Sequence, residues 1–249
     1  MVMIHLDDGF LFGQAVFTTM KVIQGQPIWL DRHLKRLSQS ADYLGFKSSA
    51  DEVWVRDYIL EQKITNAAVK LVVSDRNRLI SHRQDPYGLE LLDPISIGLA
   101  NTHRHSSNQL LQHKTTMYWQ NKMALGQTRQ SGNFEVCFLN EKDHICEGSF
   151  TNLFFIKDDK LYTPNLEAGL LAGLMREWVM DQYPVVEGPI SWSQVPDFQA
   201  VFISNCLVGV IPASRLGNYQ YSQHEMVKQI HQRWMEEIKP KNKPDLGIL

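Results

Sequence analysis

A lysine and a carboxylate near the middle of the chain could share one piece of chemistry. Lys114 stands at the expected start of a helix and Glu147 between two short apolar runs, with room for a helix, a strand and a turn between them. A lysine amine condenses with an aldehyde to a Schiff base. A carboxylate can hold a pyridine-type nitrogen protonated, so that the ring withdraws electrons. Most lysines and glutamates are solvated surface charges, so the pair acquires meaning only from the elements that position it.

Those elements read as strands alternating with helices in both halves of the chain, which predicts an α/β (or α+β) fold in two domains. Phe17 to Ile23 is β-prone, and Leu30, Leu34, Leu37, Ala41 and Leu44 recur at helical spacing over 30–45, ended by Gly45. A second helix is expected over 51–62 and a buried strand from Ala68 to Ser74; residues 75–93 read as a polar, arginine-rich loop. After a strand from Ile95 to Ala100, the polar segment 101–112 reads as the connection between domains. The expected division is a smaller N-terminal domain over 1–100 and a larger one over 113–249 that carries Lys114. Within the latter, a helix is expected over 115–131, a strand over 135–140 and two strands in 152–163 around Lys157-Asp158-Asp159. A helix over 173–182 stops before Pro184, residues 200–211 form a strand or a pair broken at Asn205, and a helix from about Ser222 to Ile238 stops at Pro240.

The motifs around the two residues resemble the class IV aminotransferase family, pyridoxal-phosphate enzymes of fold type IV that include branched-chain aminotransferases, D-amino-acid aminotransferases and aminodeoxychorismate lyases. The matching residues are Lys114-Thr115-Thr116-Met117-Tyr118 with Asn121, then Cys146-Glu147-Gly148-Ser149-Phe150-Thr151-Asn152-Leu153-Phe154, Thr163-Pro164 and Gly173-Leu174-Met175-Arg176. The resemblance implies the family's two-domain fold and pyridoxal 5'-phosphate as cofactor. It makes Lys114 the Schiff-base and proton-moving lysine, Glu147 the partner of the ring nitrogen and Tyr118 a partner of the ring's phenolic oxygen. Lys122 competes with Lys114 but lacks the pattern that follows it. His33-Leu34-Lys35-Arg36-Leu37 resembles the segment whose arginine, here Arg36, clamps the cofactor phosphate with a planar fork. The helix start at Leu174 and Met175 would add backbone amides, and Asn205-Cys206 matches the second phosphate turn. Met175 stands where many members carry threonine.

Phe17-Thr18-Thr19 and Ser204-Asn205-Cys206-Leu207 resemble the aminodeoxychorismate lyase branch rather than the transaminases. This implies a carbon–oxygen lyase acting on 4-amino-4-deoxychorismate, a small-molecule substrate, to give 4-aminobenzoate and pyruvate for folate synthesis. The alternatives are a transaminase of D- or branched-chain amino acids and a scaffold without chemistry. Asp8 and Gln14-Ala15 depart from the family's opening signature, and the 75–93 stretch departs from its usual Ser-Arg-Gly. Phe17 and Thr18 are substrate-binding candidates through the Phe17-Thr18-Thr19 motif, while Arg76, Arg78, His82 and Arg83 are candidates to bind substrate carboxylates without an individual match. The resemblance also implies a homodimer.

Composition is that of a soluble globular protein. The chain is 43% apolar and 21% charged, and its net charge of −2 gives no reason to expect nucleic acid or an anionic membrane as partner. No signal peptide or membrane span is expected. Cys137, Cys146 and Cys206 are widely spaced, form no metal-ligand pattern and suggest a reducing, cytoplasmic setting; the nine histidines imply no metal site.

Overall fold

The computed structural model describes residues 4–91 and 93–239. Two sheets organise it. The first has the order β2-β1-β3-β4, formed by β1 (Val16–Ile23), β2 (Gln26–Pro27), β3 (Ala67–Val73) and β4 (Arg78–Arg83), all antiparallel. A short helix α1 (Asp8–Phe12) precedes it, and α2 (Leu30–Tyr43) and α3 (Glu52–Glu61) accompany it. Val16, Met20 and Val22 of β1 meet Leu30, Leu37 and Ala41 of α2 in one core. Gly45 follows α2 with φ +85, a left-handed conformation that a side chain would strain, which is why the helix stops there.

The second sheet has nine strands. Their order is β10-β9-β8-β11-β12-β5-β6-β7, with β13 paired to β12. The strands are β5 (Ile95–Leu99), β6 (Glu135–Leu139), β7 (Ile145–Gly148), β8 (Asn152–Lys157), β9 (Lys160–Pro164), β10 (Val185–Gly188), β11 (Ala200–Asn205), β12 (Gly209–Leu216) and β13 (Tyr219–Gln220). Helices α4 (Trp119–Gln130), α5 (Leu174–Gln182) and α6 (Glu225–Ile238) complete the chain as described. Met175, Trp178 and Val179 of α5 and Val227, Ile230 and Trp234 of α6 cover one apolar cluster that includes Phe154 and Phe202. Pro240, expected to stop the last helix, lies outside the described residues.

Three local expectations change. Residues 78–83 form a strand, not a loop. Being an edge strand whose side chains are mostly exposed, β4 needs apolar residues on one side only, so Arg78, His82 and Arg83 hide its periodicity. The crossing between sheets also comes earlier than 101–112: β5 already lies in the larger sheet, parallel to β12 and β6, so the chain leaves the first sheet between Arg83 and Ile95. Lys114 does not open a helix, since α4 starts only at Trp119. The intervening residues extend along β1 instead, with Phe17 N–H donating to the Lys114 carbonyl at 2.9 Å and Thr116 N–H to the Ala15 carbonyl at 2.8 Å. The open edge of β1 thus overrides local helix preference and sets Lys114 beside Phe17.

Candidate active site

A cavity of about 420 Å³ lies between the two sheets. Phe17 and Arg83 from the first sheet and Arg36 from α2 line one side. Lys114, Tyr118, Glu147, Leu174, Met175, Asn205 and Cys206 line the other. Lys122 is exposed on α4 and is not among the lining residues.

The Lys114 amine sits 4.8 Å from the ring centres of both Phe17 and Tyr118, and donates to the Tyr118 hydroxyl at 3.4 Å. Burial in this aromatic slot, reinforced by the Arg36 guanidinium, pushes its pKa down to about 8. Aldehyde condensation at Lys114 should therefore level off above about pH 8 instead of following an ordinary lysine at 10.5. The absorbance of an aldehyde adduct, titrated against pH, checks this; a midpoint near 10.5 would mean a solvated amine. The folded chain binds fewer protons than the unfolded one between these two values, so the cost of Lys114 to stability is complete below about pH 8 and is relieved as pH rises towards 10.5.

Tyr118 donates its hydroxyl proton to the Ser149 carbonyl, and burial raises its pKa, so it stands as a protonated phenol whose proton is already committed. Its ring meets Phe17 edge-on at 5.3 Å. Asn121 donates to the same carbonyl at 2.8 Å, tying α4 to the loop after β7.

Glu147 is the sole carboxylate among the described lining residues. Arg104 donates to its Oε1 at 2.5 Å, and Leu171 N–H and the Asn152 side-chain amide reach its Oε2 at 3.1 and 3.4 Å. Arg104 is itself 4% exposed and lies over the Phe138 ring at 4.2 Å. Sequence reasoning missed Arg104 because it falls in a polar segment with no periodicity or motif around it, so no local signal could have found it.

Arg36 and the start of α5 form a place for an anion. The Arg36 Nε is buried without a hydrogen-bond partner, and Gly173 caps α5 with no side-chain bond, leaving backbone donors at Leu174 and Met175 on the cavity wall. A Cβ on Gly173 would meet Asn152 Oδ1 at 2.0 Å, so only glycine lets the helix start approach this closely. Burial raises the Cys206 pKa, keeping it a neutral thiol beside Arg36. Asn205 shapes its turn by accepting from Leu207 and Val208 N–H at 2.8 and 3.0 Å.

The substrate-binding candidates divide. Phe17 and Arg83 line the cavity; Thr18, Arg76 and Arg78 do not. Alternation along β1 turns Thr18 to the face opposite Phe17, where its Oγ1 accepts from Arg36 Nη2 at 3.1 Å and meets His33 Nδ1 at 2.6 Å. Thr18 therefore holds Arg36 rather than reaching the cavity. Arg78 donates to the Ser49 carbonyl at 3.2 Å and lies over Trp54. His82 meets the Tyr58 hydroxyl at 2.9 Å, also away from the cavity, and Arg76 is held through its backbone N–H by Asp7. Arg129 is a lining residue that sequence reasoning missed; with Asn121 and Leu125 it falls on one stripe of α4.

Among the described residues no helix is long and apolar enough to cross a membrane, and no group of His, Cys, Asp and Glu could hold a metal ion.

A family model described as amino-transferase class IV matches residues 15–216. A Bacillus subtilis aminodeoxychorismate lyase is 25% identical over 264 residues, covering 96% of this chain and 90% of the relative. A solved structure from Legionella pneumophila, provisionally named 4-amino-4-deoxychorismate lyase, superposes with a TM-score of 0.87 at 22% identity, covering 95% of this chain and 96% of that one. The Escherichia coli branched-chain amino acid aminotransferase superposes with a TM-score of 0.84 at 20% identity, covering 96% and 90%. These neighbours share the fold type IV architecture of the two sheets.

Proposed function

Because the chain belongs to the class IV aminotransferase family, we propose that it is a pyridoxal-phosphate enzyme that cleaves 4-amino-4-deoxychorismate to 4-aminobenzoate and pyruvate, a step of folate synthesis in the cytoplasm. The observation that carries the reading is the convergence of a lysine with a lowered pKa, a buried Glu147–Arg104 pair and an anion cradle on one cavity. The residues present fit the cofactor. Arg36 and the first amides of α5 would hold its phosphate, Glu147 would face the ring nitrogen, and Lys114 would carry its aldehyde carbon. When bound, the cofactor supplies an electron sink for the pair of electrons left at the carbon that bears the substrate amine.

With the cofactor bound, the free Lys114 amine would remove the proton from that carbon. Its lowered pKa leaves a useful fraction of free amine near neutral pH. The neighbouring enolpyruvyl ether then departs, the ring becomes aromatic, and the released enol collects a proton to become pyruvate. Arg104 holds the Glu147 carboxylate in place, and Tyr118 holds the Lys114 amine between two aromatic faces.

Two further features support elimination over amino transfer. Arg83 and Arg129 line the same cavity without a carboxylate partner among the described residues, and the proposed substrate brings two carboxylates. Asn205-Cys206-Leu207 offers a neutral thiol where the transaminases of the family often present a hydroxyl. A transaminase reading draws on the apolar side of the lining, where Leu110, Leu111 and Leu125 would suit an aliphatic side chain.

Turnover separates the two. Purified enzyme given 4-amino-4-deoxychorismate without any keto acid should form 4-aminobenzoate and pyruvate in equal amounts through many cycles. Rapid amino transfer from branched-chain amino acids or D-alanine to 2-oxoglutarate, with no 4-aminobenzoate formed, would replace the lyase reading by the transaminase one.

The same proposal includes a homodimer. Phe10, Leu11 and Phe12 of α1 and Trp119 at the start of α4 expose large apolar surfaces, and sedimentation as a monomer at micromolar concentration would contradict it.

A further inference from the structure

Lys21 is a buried charge that takes no part in the chemistry described. Lys21 on β1 is 1% exposed, yet its amine donates to Asp85 and, at 2.6 Å, to the Gly88 carbonyl. Both acceptors lie on the segment that crosses from the first sheet to the second. Asp85 is bifunctional: one oxygen takes the Lys21 amine, while the other accepts the Tyr87 backbone N–H at 3.2 Å. Pro86 and Tyr87 line the cavity. The Tyr87 ring meets Phe134 at 6.3 Å, which in turn meets Phe150, another lining residue, at 6.2 Å. Two residues on, the Leu89 carbonyl bonds His231 Nε2 of α6 at 3.1 Å, and Trp234 of the same helix lies 6.0 Å from the Lys21 amine.

We propose that residues 84–89 form a strap that sets one wall of the cavity, and that Lys21 is the positioning residue that fixes it through Asp85 to Tyr87. Alternation along β1 puts Phe17, Thr19 and Lys21 on one face. The first two line the cavity, and the third reaches past it to the strap. A buried ion pair is a poor source of net stability, but it does select one arrangement of the groups it joins, since breaking it leaves a charge without a partner. Here the arrangement selected is the position of the wall formed by Pro86 and Tyr87, next to Arg83. The strap therefore controls how the part of the substrate remote from its amine is held, and not how the anion cradle at Arg36 and α5 is built. This rests on the cavity being the substrate site, but not on which substrate the enzyme takes.

The test compares wild type with Lys21→Met, with Asp85→Asn in case the first fails to fold, and with the double variant Lys21→Met/Asp85→Leu, which leaves neither charge behind. Hydrogen exchange of the intact protein reports the strap without any substrate. The backbone amides of Asp85 and of residues 87–89 should exchange at least about tenfold faster in either single variant, while those of α5 keep their rates. Kinetics on whichever amine substrate wild type turns over should show KM raised about tenfold with kcat changed less than about twofold. Affinity for pyridoxal phosphate, read from its absorbance, should stay unchanged. Unaltered exchange in 85–89, or KM and cofactor affinity moving together as for a general loss of structure, would overturn the proposal. If the enzyme proves to be a transaminase, the lyase reading fails while the strap is still tested on that substrate.

Discussion

Replacing Lys114 with alanine is expected to lower turnover by at least about three orders of magnitude, because one side chain supplies both the covalent attachment and the proton transfer. A positioned general base alone contributes roughly 10²–10⁴-fold, and about 1.4 kcal/mol of barrier corresponds to each tenfold. Lys114→Arg should do no better. Its guanidinium keeps the charge but cannot lose a proton near neutral pH, and the slot between Phe17 and Tyr118 is built around a slender amine. Stability should move the other way. Burial disfavours the charged amine, so the alanine variant should melt no lower than wild type at pH 7. Steady-state rates with a melting curve on the same preparation check both halves; loss of activity together with a collapsed melting temperature would point to a structural lysine.

The second large effect is expected at Glu147. Glu147→Gln keeps the shape and an acceptor for Leu171 N–H but removes the charge. Turnover should fall by roughly 10²–10³-fold while cofactor still binds through Lys114, Arg36 and the start of α5, since an interaction that matters most in the transition state affects rate more than ground-state affinity. The same change leaves the Arg104 guanidinium, 4% exposed, without its anion, and an uncompensated buried charge typically costs about 3–5 kcal/mol. Glu147→Gln/Arg104→Met separates the two contributions: it should recover much of the stability and none of the turnover. Recovery of both would make the carboxylate a structural partner of Arg104 and nothing more.

How much of this was legible in the sequence depended on whether the deciding interaction was local. α2 and its stop at Gly45 follow from apolar spacing and one left-handed position, and both can be read from adjacent residues. Lys114, Glu147, Arg36 and the helix start at Leu174 carry motif neighbours, and all four line one cavity. Arg104 and Lys21 carry none; each is defined by a partner more than forty positions away, at Glu147 and at Asp85. Thr18 was misplaced for a simpler reason. Its motif suggested the substrate side, but a strand alternates faces, and the neighbours Phe17 and Thr19 took the cavity. The arginine-rich stretch divides because Arg76 precedes β4 and β4 aims its own side chains in different directions, leaving only Arg83 at the cavity.

The most direct test is reductive trapping. Protein saturated with pyridoxal phosphate is treated with borohydride, digested and mapped by mass spectrometry. A single pyridoxyl group on the peptide containing Lys114, absent when Lys114 is replaced by alanine, is the predicted result. A label on Lys122, or none on cofactor-saturated protein, would contradict the account.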